Sequence, residues 1–172
     1  LVEVDGSEHL VPACKQAALT GSSIRTQAPS VVAARKLVLR LMTSQGGFTG
    51  PENHSRQTEL DHLLREYDVE PAADIPPRYP VDSDPSPFLH VDLNQCILCT
   101  RCIRACDEVQ GRFVWGVSER GHDTHIEPGA GVTLQEARCE GCGACAAYCP
   151  TGAISDRGAI GLRTPDRLVT TT

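Results

Sequence analysis

Eight of the nine cysteines in this 172-residue chain lie in two runs that share one spacing. The runs are Cys96, Cys99, Cys102 and Cys106, followed by Cys139, Cys142, Cys145 and Cys149. Each run reads C-x2-C-x2-C-x3-C, and the second continues directly into Pro150. Three thiols two residues apart converge on one point only if the backbone curls into a tight loop. This repeated spacing therefore constrains both the fold and the chemistry of the chain.

The spacing fits two iron–sulfur clusters. A [4Fe-4S] cluster takes four thiolates at the corners of a small tetrahedron, and a curled loop supplies three of them while its N–H groups point at the sulfides. The pattern resembles that of bacterial-type two-cluster ferredoxins, in which the last cysteine of each run binds the other cluster. That resemblance implies a first cluster held by Cys96, Cys99, Cys102 and Cys149, and a second held by Cys106, Cys139, Cys142 and Cys145.

Two other uses of cysteine fit the spacing less well. Structural zinc usually takes two separated pairs of ligands and has no use for a third cysteine two residues further on. Thiols two residues apart on one loop do not readily meet disulfide geometry. Cluster ligands must stay as thiolates, which favours a reducing compartment, so we expect a cytoplasmic location.

Composition excludes several function classes. The net charge of -6, without a Lys/Arg cluster, argues against a nucleic-acid partner. No apolar run approaches the roughly 18 residues that cross a bilayer. The sequence contains no GxSxG, P-loop, GxGxxG or HExxH motif, so we predict no catalytic residue and no nucleotide site in the chain itself.

The first 48 residues look like part of a domain. Residues 1–13 read as a hairpin that turns at Asp5-Gly6-Ser7, and a short extended piece follows near residues 24–26. Ser30 is the predicted N-cap of a helix that runs to about Met42. Its predicted apolar face comprises Val31, Ala34, Leu37, Val38 and Leu41. One hairpin and one extra strand cannot bury a core alone.

These residues also carry a resemblance. Leu1–Gly6 and Leu10–Cys14 resemble the second half of the N-terminal β-grasp [2Fe-2S] domain of NAD-linked molybdenum or tungsten formate dehydrogenase catalytic subunits. Related domains occur in the complex I large iron–sulfur subunit and in diaphorase subunits of NAD-reducing hydrogenases. The resemblance implies that Cys14 is a candidate fourth [2Fe-2S] ligand in a longer protein. The alternative is a lone buried thiol that needs no partner.

Between the two regions we expect a helix and a connector. Leu60, Leu63, Leu64 and Tyr67 recur at helical spacing, with Ser55 or Thr58 as candidate caps. Some relatives hold a further cluster here with a histidine and three cysteines. This chain has no cysteine between Cys14 and Cys96, so we predict none. Six prolines in residues 70–90 predict a semi-rigid extended connection.

The cysteine-rich region is predicted to be a compact module. A short helix over Cys102–Val109 carries Cys106 inward, and a hairpin over residues 113–127 fills the interval between the runs. Trp115 is expected to pack near the first cluster. Arg101 and Arg104 either tune a cluster or are solvated.

These expectations combine into an α+β architecture. The predicted divisions are a partial [2Fe-2S] ferredoxin-like domain plus helix (1–48), a helix and Pro-rich connector (49–87), a two-[4Fe-4S] ferredoxin-like domain (88–157) and a linker (158–172). The last stretch resembles the linker that precedes a further cluster motif and the molybdopterin domain in formate dehydrogenase subunits.

The resemblance implies electron transfer between a molybdopterin site that oxidises formate and a [2Fe-2S]/flavin partner that reduces NAD. Expected partners are flavin- and NAD-binding diaphorase subunits and a molybdopterin domain or subunit. One alternative is an iron–sulfur subunit of an NAD-reducing hydrogenase or of complex I. Another is a non-redox module whose clusters only hold an interaction surface together.

Overall fold

The computed structural model describes residues 1–17, 20–44, 48, 58–72 and 75–159. Its helices are α1 (Pro29–Met42), α2 (Glu59–Glu66), α3 (Arg101–Arg104) and α4 (Ala144–Tyr148). Its strands are β1 (Glu3–Val4), β2 (Ile24–Arg25), β3 (Leu89–Val91), β4 (Trp115–Ser118), β5 (His125–Pro128) and β6 (Ile154–Asp156). A π-helical turn, Ala105–Val109, continues α3. Ser55 and nearly all of the predicted linker, residues 160–172, lie outside the described residues.

The first residues form a small antiparallel pair. β1 pairs with β2, which confirms the short strand predicted near residue 24. The returning arm of the predicted hairpin is reduced to one bridge, in which Val2 and Val11 exchange both backbone hydrogen bonds at 2.9 and 3.0 Å. An ion pair between Arg25 and Glu3, at 2.7 Å, joins the two strands.

Helix α1 differs from the prediction at its start and in its buried face. Its N-cap is Ala28, and Pro29 occupies the first turn, where proline's fixed φ and missing N–H suit a helix start. The predicted cap, Ser30, lies inside the helix and donates its hydroxyl to Glu3 at 2.9 Å. Val31 and Leu39 are the buried apolar residues. The predicted face was wrong for three residues, since Leu37, Val38 and Leu41 are exposed.

Helix α2 starts at the N-cap Thr58, one of the two candidate caps from the sequence. The Thr58 hydroxyl accepts from the Asp61 N–H at 3.1 Å, and the Asp61 carboxylate accepts from the Thr58 N–H at 2.9 Å. This reciprocal pair is a capping box, which satisfies two N–H groups at the helix start. The apolar side of α2 belongs to a small core made of Leu39, Phe48, Leu60, Leu64, Tyr67 and Val69, with Val32 and Ile97 at its edge. Through Ile97 this core reaches the first cysteine loop.

The proline-rich connector follows the surface of the cysteine-rich region. No helix or strand forms in the described residues between α2 and β3, as the prolines predict. The Arg78 and Tyr79 N–H groups both donate to the Asn94 side-chain oxygen, at 2.8 and 2.9 Å. Further on, the Leu134 N–H donates to the Asp84 carboxylate at 2.8 Å. From Arg78 onward the connector is therefore held by hydrogen bonds to residues that precede the two cysteine runs, Asn94 and Leu134.

Two antiparallel strand pairs enclose the main core. β3 pairs with β6 in the register Leu89↔Asp156 and Val91↔Ile154, and β4 forms a hairpin with β5. The core is made of Leu89, Val91, Cys102, Cys106, Val114, Trp115, Ile126, Leu134, Cys145, Ala146 and Ile154. The β4–β5 hairpin was predicted, although it begins at Trp115 rather than Phe113. The pairing of β3 with β6 was not predicted, and it brings the ends of the cysteine-rich region together.

Arg157 holds the connector against the end of β6. Its guanidinium binds both Asp82 carboxylate oxygens, at 2.5 and 2.7 Å, and donates to the carbonyls of Ser86 and Leu89 at 2.8 and 3.0 Å. The hydrogen bond from Arg157 holds the pKa of the Asp82 carboxyl below its usual value, so Asp82 is ionised at neutral pH.

We predict that Arg157→Lys lowers the urea concentration at the unfolding midpoint, because an ammonium cannot span a carboxylate and two carbonyls together. Anaerobic urea unfolding followed by circular dichroism measures this. The control is Arg104→Lys, since Arg104 pairs with Glu108 where both side chains are more than 60% exposed. The control substitution is expected to leave the midpoint almost unchanged. Equal effects of the two substitutions would contradict the prediction.

Among the described residues, no helix combines the length and the apolar character that crossing a bilayer requires.

Candidate iron–sulfur centres

The two cysteine loops share one backbone conformation. Leu98 and Thr100 in the first loop have φ of 55° and 59°, and the matching Gly141 and Gly143 in the second have φ of 66° and 76°. In both loops the third cysteine is then the second residue of a short helix, α3 or α4. The left-handed residues turn the chain sharply between successive cysteines, which is the curl that the C-x2-C-x2-C spacing requires.

Gly141 is required for space as well as for backbone conformation. A Cβ at this position would lie 2.6 Å from Cδ2 of Phe88, whereas a Cβ on Gly143 would meet nothing within 4 Å. The Phe88 ring therefore packs directly on the second loop, although it is 60% exposed. The first loop tolerates Leu98 at the matching position.

Alanine substitutions at Gly143 and Gly141 distinguish the cost of the left-handed backbone from the cost of a steric clash with Phe88. Gly143→Ala is expected to cost about 1 kcal/mol of unfolding free energy from its left-handed φ alone. Gly141→Ala is expected to cost about 1 kcal/mol more, because the Phe88 ring must also move. Chemical denaturation of the single variants, and of Gly141→Ala combined with Phe88→Ala, tests this. The excess should vanish in the double variant, and its persistence would show that Phe88 is not the cause.

A cavity between the strands and α4 collects one group of four cysteines. Cys106, Cys139, Cys142 and Cys145 all line it, together with Leu89, Arg112, Val114, Trp115, Glu140, Gly143 and Ala144. Cys106 comes from the first run of the sequence, and the other three come from the second. This is the second group predicted from the ferredoxin pattern.

The other group contains Cys96, Cys99, Cys102 and Cys149, and it is recognised by the electrostatic effects of these thiols on one another. Burial raises the pKa of the Cys96 thiol to about 11, opposed by the Leu98 N–H and reinforced by negative charge at Cys149 and Cys99. Burial likewise raises the pKa of Cys102 to about 12, with added repulsion from Cys96, Cys149 and Cys99. Cys149, from the second run, is thus an electrostatic neighbour of the first-run cysteines. In the second group, the charge at Cys106 acts on Cys139 in the same way.

These shifts describe how the sites would take up a metal cluster. With pKa values of about 11 and about 12, the Cys96 and Cys102 thiols are protonated at neutral pH in the chain without a cluster. Cluster ligands bind as thiolates, so assembly must release protons while positive iron replaces them. Four converging thiols that repel one another when ionised, in an apolar surrounding, fit a group that carries several iron ions.

Backbone N–H groups already point at the sulfurs. Leu98 donates to Cys96 at 3.5 Å, Gly141 to Cys139 at 3.4 Å and Val114 to Cys106 at 3.4 Å. The first two bonds occupy matching places in the two loops. Such N–H···S bonds stabilise negative charge on cluster sulfurs and favour reduction.

Within the described part of the chain, no group of three or more His, Cys, Asp or Glu side chains is arranged to hold one metal ion. In a cubane each thiolate binds a different iron, so its four sulfurs stand farther apart than four ligands around one zinc.

Charged side chains distinguish the surroundings of the two groups. Arg101 binds both carboxylate oxygens of Glu59 at 2.9 Å, which raises its pKa, and it also interacts with charge at Cys99 and Cys149. Arg104 pairs with Glu108 instead. Beside the second group, Arg112 pairs with Glu140. Of the two arginines singled out in the sequence, Arg101 is the one beside the first group.

The structure corrects one placement and adds three residues. Trp115 lies with the second group of cysteines, not near the first as predicted, because β4 starts there and turns its side chain into that cavity. Sequence reasoning also missed Asn94, Arg157 and Thr151. The Thr151 hydroxyl lies 3.6 Å from the Cys149 sulfur and is almost fully buried. No sequence motif identifies these polar residues. The bonds of Asn94 to the connector and of Arg157 to Asp82 join residues far apart in the sequence, and the Thr151–Cys149 contact belongs to no repeating pattern.

Cys14 belongs to neither cysteine group. It is a free, exposed thiol in the turn after Val11, where the Lys15 and Gln16 N–H groups bond back to the Pro12 carbonyl. Its role as a [2Fe-2S] ligand stays a prediction.

Short strands, short helices and two cysteine loops around one core define a ferredoxin-like iron–sulfur domain. Residues 86–155 match the family model of the ferredoxin-like domain of NADH-quinone oxidoreductase subunit 3. This stretch contains all eight cysteines of the two runs.

Whole-chain relatives extend the match. The chain is 31% identical to a subunit of the NADH-quinone oxidoreductase of Rhizobium meliloti, over 90% of its own length and 18% of that protein's. It is 29% identical to a subunit of the NADP-reducing hydrogenase of Solidesulfovibrio fructosivorans, covering 98% of the chain and 30% of the relative. A protein of Staphylococcus haemolyticus provisionally named a formate dehydrogenase is 25% identical. This match covers 91% of the chain and 16% of the relative.

Solved structures show the same fold. The crystal structure of an NAD+-reducing [NiFe]-hydrogenase in the H2-reduced state matches 95% of this chain and 70% of that one, with a TM-score of 0.78 and 24% identity. The resemblance to this group of iron–sulfur proteins is thereby confirmed. The chain spans less than a third of the length of each of the three curated relatives.

Proposed function

We propose that this chain is an electron-transfer segment carrying two [4Fe-4S] clusters. Cys96, Cys99, Cys102 and Cys149 would hold the first, and Cys106, Cys139, Cys142 and Cys145 the second. The observation that supports the proposal is the position of the last cysteine of each run beside the cysteines of the other run. Cys106 lines the cavity of the second-run cysteines, and Cys149 acts on those of the first run.

The surroundings suit one-electron chemistry. The clusters would supply the redox change, and the protein would set their position, insulation and potential. Six of the eight cysteines lie in or against the main apolar core, which shields them from water, whereas Cys99 and Cys142 are exposed. N–H groups aimed at three of the sulfurs favour the reduced state and partly offset this apolar shell.

We propose further that the segment works in an NAD-linked molybdenum or tungsten formate dehydrogenase. There it would pass electrons from a molybdopterin site that oxidises formate, or reduces CO2, to a [2Fe-2S]/flavin partner that reduces NAD. The support is the resemblance of residues 1–14 and the similarity to the staphylococcal protein. An iron–sulfur subunit of complex I or of a hydrogenase is the second candidate, because relatives with those names align over most of the chain. A reducing, cytoplasmic setting suits the thiolate ligands.

Electron paramagnetic resonance during an anaerobic dithionite titration tests electron transfer. The proposal expects two reversible signals typical of reduced [4Fe-4S] clusters, each accounting for about one spin per chain. Clusters that bind but cannot be reduced and reoxidised would instead support a structural module. Reduction by formate in the full-length protein, and not by hydrogen or NADH alone, separates formate dehydrogenase from the second candidate.

A further inference from the structure

Trp115 is the only tryptophan of the chain and is almost fully buried. It is the first residue of strand β4, and it lines the same cavity as the four cysteines of the second group. The hairpin register, Trp115 opposite Pro128, fixes its backbone. The indole is therefore held rigidly against the proposed cluster site.

The indole N–H is directed to a cluster ligand. An indole is a donor only, and a buried one usually finds a partner. The Trp115 side chain donates a hydrogen bond to the Cys145 sulfur, which opposes the rise that burial causes in the pKa of that thiol.

The matching cysteine of the first loop shows no counterpart of this bond among the described residues. Cys102 occupies the place in the first loop that Cys145 occupies in the second. Each receives a backbone hydrogen bond from the next residue, Ile103 or Ala146. Of these two sulfurs, Cys145 alone also receives a bond from a described side chain. The two loops are otherwise alike in backbone conformation, so this bond is a specific difference between the two sites.

We propose that Trp115 is a positioning residue whose N–H···S bond to Cys145 raises the reduction potential of the second cluster. The inference rests on the proposed function. Reduction adds one electron to the cluster and breaks no bond, so negative charge on the ligand sulfurs increases. A fixed donor stabilises that added charge more than the oxidised state, which moves the potential upward.

The first test is Trp115→Phe in the cluster-loaded chain, titrated by electron paramagnetic resonance. The signal of the second cluster is the one lost in Cys106→Ser. It is expected to move to a more negative potential, while the other signal stays in place. Val117→Ala, at an exposed position of the same strand, is the matched control and should move neither. Equal potentials in Trp115→Phe and the native chain would overturn the inference.

A second variant keeps the shape of the side chain. Because Trp115 is the only tryptophan, a benzothiophene amino acid can replace it, with sulfur in place of the N–H. The same negative shift is expected, together with loss of an exchangeable-proton coupling at the reduced second cluster in electron–nuclear double resonance. If both signals form and neither the potential nor the coupling changes, the inference fails while the proposed function stands. If no reducible cluster forms in the native chain, the proposed function itself fails.

Discussion

Serine in place of Cys149 is expected to remove the first cluster and leave the second, although Cys149 lies in the second run. Cys106→Ser is expected to do the reverse. Each variant should fall from about eight to about four irons per chain. The reason is the proposed exchange of ligands, which the placement of these cysteines supports. Cys149 acts electrostatically on Cys96 and Cys102, while Cys106 lines a cavity with Cys139.

Double variants make the test decisive. Cys96→Ser with Cys149→Ser should still lose only one cluster, because both residues serve the same site. Cys96→Ser with Cys106→Ser should lose both clusters. An uncrossed arrangement predicts the opposite pair of outcomes. Cys14→Ser is the matched control, since Cys14 is exposed and far along the chain from both runs, and its iron content should equal that of the native chain.

Asn94→Leu is expected to lower the unfolding free energy by about 3 kcal/mol. The Asn94 amide is 2% exposed, accepts from the Arg78 and Tyr79 N–H groups and donates to the Tyr79 carbonyl and the Asp92 carboxylate at 2.9 and 2.8 Å. Leucine makes none of these bonds and leaves backbone groups of the connector without partners, each costing about 1–3 kcal/mol where it stays buried. Anaerobic urea unfolding measures the loss.

The same substitution should also loosen the first loop, because Asn94 lies two residues before Cys96. Iron transfer from the first cluster to a chelator is therefore expected to speed up, while the second cluster is little affected. Thr124→Ala, which removes an exposed side-chain bond to the Gly121 carbonyl, is the control and should change stability by less than about 0.5 kcal/mol. Equal acceleration at both clusters would show that Asn94 has no local role in the first loop.

The cysteine loops could be predicted from sequence because their ligand spacing is itself the structural constraint. The left-handed turns at Leu98 and Thr100 could not, since neither residue type suggests that conformation. In the second loop, glycine stands at both matching places, where a positive φ carries the smallest steric cost.

Features that depend on distant partners were missed or misjudged. The periodicity of α1 marked an apolar face, but it carries no information on what covers that face, and Leu37, Val38 and Leu41 are exposed. Trp115 was assigned to the wrong group because strand periodicity does not show which group of cysteines a strand packs against. The pairing of β3 with β6 joins segments on either side of both cysteine runs.

Iron, acid-labile sulfide and zinc content of the anaerobically purified chain test the central claim most directly. Two cubanes predict about eight irons and about eight sulfides per chain, with no stoichiometric zinc. About two zinc ions per chain without sulfide would contradict the assignment of both cysteine groups.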